Sequence, residues 1–214
     1  MLGESSAEAP AALRLIRFRL EQKRAEGMWT FAVTSARDGE GKSVFATQLA
    51  LVLSESQRAT VLLAEANFHR PTVASLLGFR IPSGQGFSPQ LSRKMHGSAE
   101  PWAVVALGPS LHVLAESPEE PGYPETLHSP YFTKAIGFLA RGYDFVVVDS
   151  PSVLGSGEAL VVEGAVDAVI LVARSQRTKG ADIREALKTL GGDTGKCVGV
   201  VLWDVTEGQK KSKR

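Results

Sequence analysis

The chain has 214 residues, 43% apolar and 22% charged, a balance that suits one soluble domain with a sizeable core. Lysine and arginine outnumber aspartate and glutamate by only 24 to 23, so the basic excess of a nucleic-acid binder is missing and no such partner is expected. The single cysteine excludes an intrachain disulfide, no apolar stretch approaches the roughly 20 residues that span a bilayer, and the N-terminus lacks a signal-peptide core, so a cytoplasmic protein is expected.

Residues 1–28 form an N-terminal region in which periodicity predicts an amphipathic helix over about 10–26, with Pro10 at its start and Leu13, Ile16 and Leu20 on one face. Residues 29–205 follow as one nucleotide-binding domain. Short apolar runs rich in β-branched residues at 30–34, 60–64, 145–148, 168–172 and 198–202 predict strands, and 111–114 adds a sixth. Their apolarity is continuous rather than alternating, the pattern of strands buried on both faces of a parallel sheet. Helix-length segments at about 42–56, 130–141 and 178–190 alternate with them. The fold expected is therefore α/β, a doubly wound and mostly parallel sheet with helices on both faces. The Gly-, Pro- and Ser-rich stretch 78–109 reads as surface loops around a short helix. Cys197, inside an apolar run, reads as a core residue rather than a nucleophile or ligand. Residues 206–214 make a basic tail, ending Lys210-Lys211-Ser212-Lys213-Arg214, that reads as a solvated end.

Ala36-Arg37-Asp38-Gly39-Glu40-Gly41-Lys42-Ser43 follows the first predicted strand and opens a predicted helix, the context a Walker A motif requires. Its glycines let backbone N–H groups turn inward around phosphates, and the helix N-terminus favours negative charge. The nucleotide is thus assigned to Asp38, Gly39, Glu40, Gly41, Lys42, Ser43 and Val44. Lys42 would reach the β and γ phosphates, and the Ser43 hydroxyl would meet Mg²⁺, which enters such sites with its nucleotide. Asp149 ends a predicted strand, where open α/β sheets bind ligands, and supplies the acid of a Walker B motif. ATP and Mg²⁺ are the cofactors expected. His69, His96, His112 and His128 have no metal-ligand spacing, and no Gly-x-Ser-x-Gly elbow appears.

Gly39-Glu40-Gly41-Lys42-Ser43 combines with Leu62-Leu63-Ala64-Glu65-Ala66-Asn67-Phe68-His69-Arg70-Pro71 and Tyr143-Asp144-Phe145-Val146-Val147-Val148-Asp149-Ser150-Pro151. Together they resemble the bacterial tyrosine kinases, cytoplasmic autokinases that control the chain length and export of capsular and extracellular polysaccharides. The likeness runs from residues 13–17 to 199–202 and includes 111–114 and 124–129. It implies a P-loop NTPase fold and phosphoryl transfer from MgATP to a tyrosine hydroxyl. It also implies catalytic roles for Lys42, Glu65 and Asp149, metal binding by Ser43, Glu65 and Asp149, and Trp203 near the nucleotide base. That indole is left between stacking on adenine and packing behind an apolar strand. The expected partner is a membrane-embedded polysaccharide co-polymerase on a separate chain, which would recruit the protein to the inner face of the plasma membrane. A homo-oligomer is also expected.

The chain departs from the family pattern in ways that bear on catalysis. The family's second Walker motif, Asp-x-Asp-x-Arg, is here Glu65, Asn67 and His69. The neutral amide of Asn67 is no general base, and His69 is a cation only when protonated. Tyr123, Tyr131 and Tyr143 are the only tyrosines, and none lies near the tail where the family carries a tyrosine cluster. Ala11 replaces the glutamate of the family's Glu-x-x-Arg-x-x-Arg assembly pattern, while Arg14 and Arg17 remain. Weakened or lost kinase activity is the expectation. An active autokinase, a nucleotide-binding regulatory pseudokinase and a ParA/MinD-like positioning ATPase all stay open, with Gly39-Glu40-Gly41 and the absence of a paired-lysine P-loop against the third.

Overall fold

The computed structural model describes residues 11–120, 122–192 and 195–203, and the basic tail expected at 206–214 lies outside them. Helix α1, Ala11–Ala25, buries Leu13 and Leu20, two turns apart, and half-buries Ile16 between them. Lys23 and Arg24 occupy its last turn, where cations complement the helix dipole.

Seven strands form one sheet: β1 Thr30–Ser35, β2 Val61–Glu65, β3 Val105–Ala106, β4 Leu111–Leu114, β5 Phe145–Asp149, β6 Ala168–Arg174 and β7 Cys197–Trp203, in the order β3-β4-β2-β5-β1-β6-β7. All neighbours pair in parallel except the short β3, which runs antiparallel to β4. The helices that follow α1 are α2 Lys42–Ser54, α3 Val73–Leu77, α4 Phe87–Met95, α5 Pro130–Leu139, α6 Glu158–Ala165 and α7 Gly180–Thr189.

Alternate residues of each central strand feed opposite core layers, as the pleat requires. Phe31 and Val33 of β1, with Phe145 and Val147 of β5, join α1, α2 and α3 on one face. Ala32, Val146 and Val148 join α4 to α7 on the other, around Phe87, Phe132 and Ile136. The doubly wound sheet expected from the apolar runs is the sheet observed.

Three differences have physical causes. β7 was expected to be buried on both faces, yet Val198, Val200 and Leu202 are 40%, 46% and 71% exposed. It is an edge strand, paired only to β6, and a continuous apolar run does not distinguish an edge from a centre. Cys197 at its start is accordingly half-buried rather than a full core residue. Helix α6 was not anticipated, because Glu-Ala-Leu-Val-Val-Glu-Gly-Ala carries little helical amphipathic signal.

Candidate nucleotide site

Where β1 ends, the chain turns through Gly39 at φ 78° and Gly41 at φ 90° before α2 begins. Both angles lie in the left-handed region that glycine adopts without a Cβ penalty. The Phe45 N–H donates to Gly41 O at 2.9 Å, closing the first turn of α2.

Charged side chains brace this loop from behind. The buried Glu40 turns away from any phosphate: its Oε2 accepts from the Arg37 N–H at 3.0 Å and its Oε1 from the Thr178 hydroxyl at 2.7 Å. Asp38 accepts from the Ser152 hydroxyl at 2.7 Å and pairs with Arg70 at 3.2 Å. The loops that follow β1, β2, β5 and β6 are thereby tied together at the carboxyl edge of the sheet.

Between them opens a cavity of about 350 Å³. Asp38, Gly39, Gly41, Lys42, Ser43 and Val44 line it, as expected from the motif. Asn67, Arg70, Thr72, Leu76 and Arg174 complete the wall. Arg177 adds a further cation, since a Cβ built on Gly39 would lie 3.3 Å from its guanidinium. The motif reading singled out neither Arg174 nor Arg177. Arg174 ends the parallel strand β6 and Arg177 follows it, and that position was the available signal.

Asp149 is fully buried at the end of β5, opposite Val33 of β1 and Glu65 of β2. Neither of its carboxylate oxygens has a hydrogen-bond partner of normal geometry. Burial pushes its pKa up to about 6, while the Lys42 ammonium and the Ser43 hydroxyl pull the other way. A buried carboxylate without a hydrogen bond of normal geometry keeps lone pairs for a second cation beside the Lys42 ammonium. Among the described residues no group of three or more His, Cys, Asp or Glu side chains could cage a metal. This donor set fits Mg²⁺ carried in on nucleotide phosphates, where a hydroxyl and one carboxylate suffice.

Glu65 is also fully buried, but its carboxyl is occupied. One oxygen accepts from the Thr72 and Val73 N–H groups at 2.5 and 2.9 Å, and the other from the Glu116 N–H at 3.0 Å. Its side chain thus satisfies amides at the start of α3 that the helix itself leaves orphaned. Burial and then the neighbouring Asp149 charge push its pKa up to about 8, against those hydrogen bonds. The catalytic and metal-binding roles implied for Glu65 therefore meet a group already committed to the backbone.

The other members of the second motif are also engaged. Asn67 Nδ2 donates to Arg70 O at 3.1 Å, and His69 Nε2 lies 2.8 Å from Glu158 Oε1. Trp203 does not line the cavity. Its ring meets Phe45 edge-on at 5.5 Å between centroids and 76° between planes, and its indole N–H is buried without a partner. Of the two arrangements left open for Trp203, packing is the one observed. Arg37, outside the cavity, pairs with Asp182 of α7 at 3.0 Å.

No family model matches the chain. Over 189 residues it is 31% identical to the tyrosine-protein kinase YwqD of Bacillus subtilis (strain 168), covering 87% of this chain and 75% of that protein. The VpsO kinase domain superposes with a TM-score of 0.74 at 25% identity, covering 91% of this chain and 94% of that one. The cell division ATPase MinD of Pyrococcus furiosus superposes at a TM-score of 0.66 with 17% identity over 81% of this chain and 71% of its own, a likeness of fold alone. With a phosphate loop opening α2, a strand-end carboxylate beside it and a kinase relative aligned across most of both sequences, the chain belongs to the bacterial tyrosine-protein kinase family.

Proposed function

We propose that the chain is a MgATP-binding regulatory member of this family whose capacity for phosphoryl transfer to tyrosine is weakened or lost. When bound, MgATP supplies the transferable γ-phosphoryl group and a divalent positive charge. The P-loop amides and Lys42 hold the phosphates, and Ser43 with Asp149 holds the metal or its waters. The orphaned, buried carboxylate of Asp149 carries this reading, because no described residue meets either of its oxygens in a hydrogen bond of normal geometry.

Two features of the chain's own residues support attenuation. Glu65 fixes the turn into α3 through three backbone amides. Asn67, on the cavity wall, offers an amide where a base would have to take the phenol proton. By the resemblance set out above, the protein works in the cytoplasm with a membrane-embedded polysaccharide co-polymerase on another chain. Trp203, packed on Phe45, supports no role at the base.

Calorimetric titration with ATP and Mg²⁺, followed by phosphotyrosine detection on the same samples, tests the reading. Binding by the wild type, its loss in Lys42→Ala and little phosphotyrosine are expected, with phosphotyrosine rising in Asn67→Asp. Vigorous phosphotyrosine formation by the wild type would overturn the attenuation, and absent ATP binding would overturn the whole proposal.

A further inference from the structure

On the outer side of the α4–α5 layer lies a cavity of about 570 Å³ that shares no lining residue with the P-loop cavity. Helix α5 and the 3₁₀ turn Ala140–Gly142 after it place Tyr131, Lys134, Phe138 and Arg141 on one stripe, spaced three or four residues apart. Lys94 of α4 and Trp102 face them across the cavity.

Each cation lies over a ring. Lys94 sits 4.9 Å from the centroid of Trp102, Lys134 5.1 Å from that of Tyr131, and Arg141 5.8 Å from that of Phe138. No carboxylate lines the cavity. Lys94 donates to the Glu100 carbonyl, but the side chains of Lys134 and Arg141 have no hydrogen bond or ion pair with any described residue. Tyr131 and Phe138 remain 42% and 60% exposed, large for aromatic side chains on a folded surface. The pocket therefore combines three cations and no carboxylate with partly exposed aromatic rings in a concavity of about 570 Å³, within the range of small-ligand sites.

We infer that this pocket is a second ligand site, taking an aryl phosphate in the form of a phosphotyrosine side chain presented by a peptide. The ligand ring would cover the exposed rings, and its dianion would draw the three cations into charge-assisted contacts. Inorganic phosphate would leave the rings wet, and an acyl chain would leave the cations unpaired. A bilayer surface suits a convex basic patch better than a pocket. The choice of phosphotyrosine among aryl phosphates rests on the family reading, because active tyrosine kinases of this family make the group that an attenuated member would bind.

The test is calorimetry on the full chain with N-acetyl-phosphotyrosine amide and a short phosphotyrosyl peptide as probes. Binding is expected, weakened about tenfold or more in Lys134→Ala/Arg141→Ala, as the loss of charge-assisted bonds implies. Both substituted side chains are exposed, so the fold should survive, and circular dichroism checks that. Binding in Lys42→Ala should match the wild type, which separates this site from the nucleotide site. Absence of binding overturns the inference, as does equal affinity for N-acetyl-phosphoserine amide or loss of binding in Lys42→Ala. Adsorption to phosphatidylserine vesicles that needs Lys134 and Arg141, without any phosphotyrosine binding, would overturn it in favour of a lipid surface. ATP binding that persists when the phosphotyrosine probes fail would sink this second site alone.

Discussion

Both ends of the sheet carry carboxylates, and the chain treats them in opposite ways. At the amino end, Asp167 Oδ2 accepts from the Trp29 and Thr30 N–H groups at 2.8 and 2.9 Å and from the Thr30 hydroxyl at 2.8 Å. Asp144 accepts from the Thr60 N–H at 2.8 Å and pairs with Arg24. The Thr60 amide, helped by the Thr60 hydroxyl and Arg24, holds the Asp144 carboxyl below its ordinary range. At the carboxyl end Asp149 is buried, has no hydrogen bond of normal geometry and is pushed up to about 6. One end is stitched shut by its own backbone, and at the other a buried carboxylate keeps oxygens that no backbone amide satisfies. Glu65 is the instructive intermediate, since it lies beside Asp149 in register but is satisfied like the carboxylates at the far end.

The comparison breaks most visibly at Lys42. Lys42→Ala should weaken ATP binding by more than about a hundredfold, roughly the worth of two charge-assisted contacts, as calorimetry would register. Next comes Glu65→Ala, which leaves the buried Val73 and Glu116 amides and the part-buried Thr72 amide without an acceptor and should destabilise the fold by about 4 kcal/mol in urea unfolding. Glu65→Gln, which keeps acceptor capacity, should lose distinctly less.

Asp149→Asn should act in the opposite direction. A carboxyl whose folded pKa lies above its unfolded value favours folding when protonated. Its contribution is present in full below the ordinary value of 3.8 and is lost as pH rises through about 6. The ligand-free wild type should therefore lose stability across that window, and Asp149→Asn should remove this share of the slope while leaving the share of Glu65, whose pKa raised to about 8 acts in the same sense. The variant should be more stable at pH 7 by about 2 to 3 kcal/mol, as unfolding curves at several pH values would reveal. The smallest effect belongs to the closed end. Asp167→Asn should cost about 1 kcal/mol and leave ATP affinity unchanged.

How much of this was legible follows from the range of each interaction. The P-loop is eight consecutive residues running from the end of a strand into the start of a helix, so its place and glycine geometry could be read locally. The strands were legible because β-branched runs are local too, but their order in the sheet is not, and β7 was misjudged for that reason. The orientation of Glu40 depends on Thr178, 138 residues away, and that of Asp38 on Ser152, 114 residues away. Glu65 shows the same limit. The family resemblance implied a metal ligand there, whereas the partners of its carboxyl in the fold are amides brought in by α3 and the β4 end, which no local pattern announces.

The most direct test of the open carboxyl end is the Mg²⁺ dependence of ATP affinity in the wild type and Asp149→Asn, measured by calorimetry with Mg²⁺ and with a chelator. The wild type should bind ATP more tightly with Mg²⁺, and Asp149→Asn should lose that advantage while keeping residual binding through Lys42 and the P-loop amides. An undiminished Mg²⁺ advantage in Asp149→Asn would contradict the assignment of the orphaned carboxylate to the nucleotide's metal.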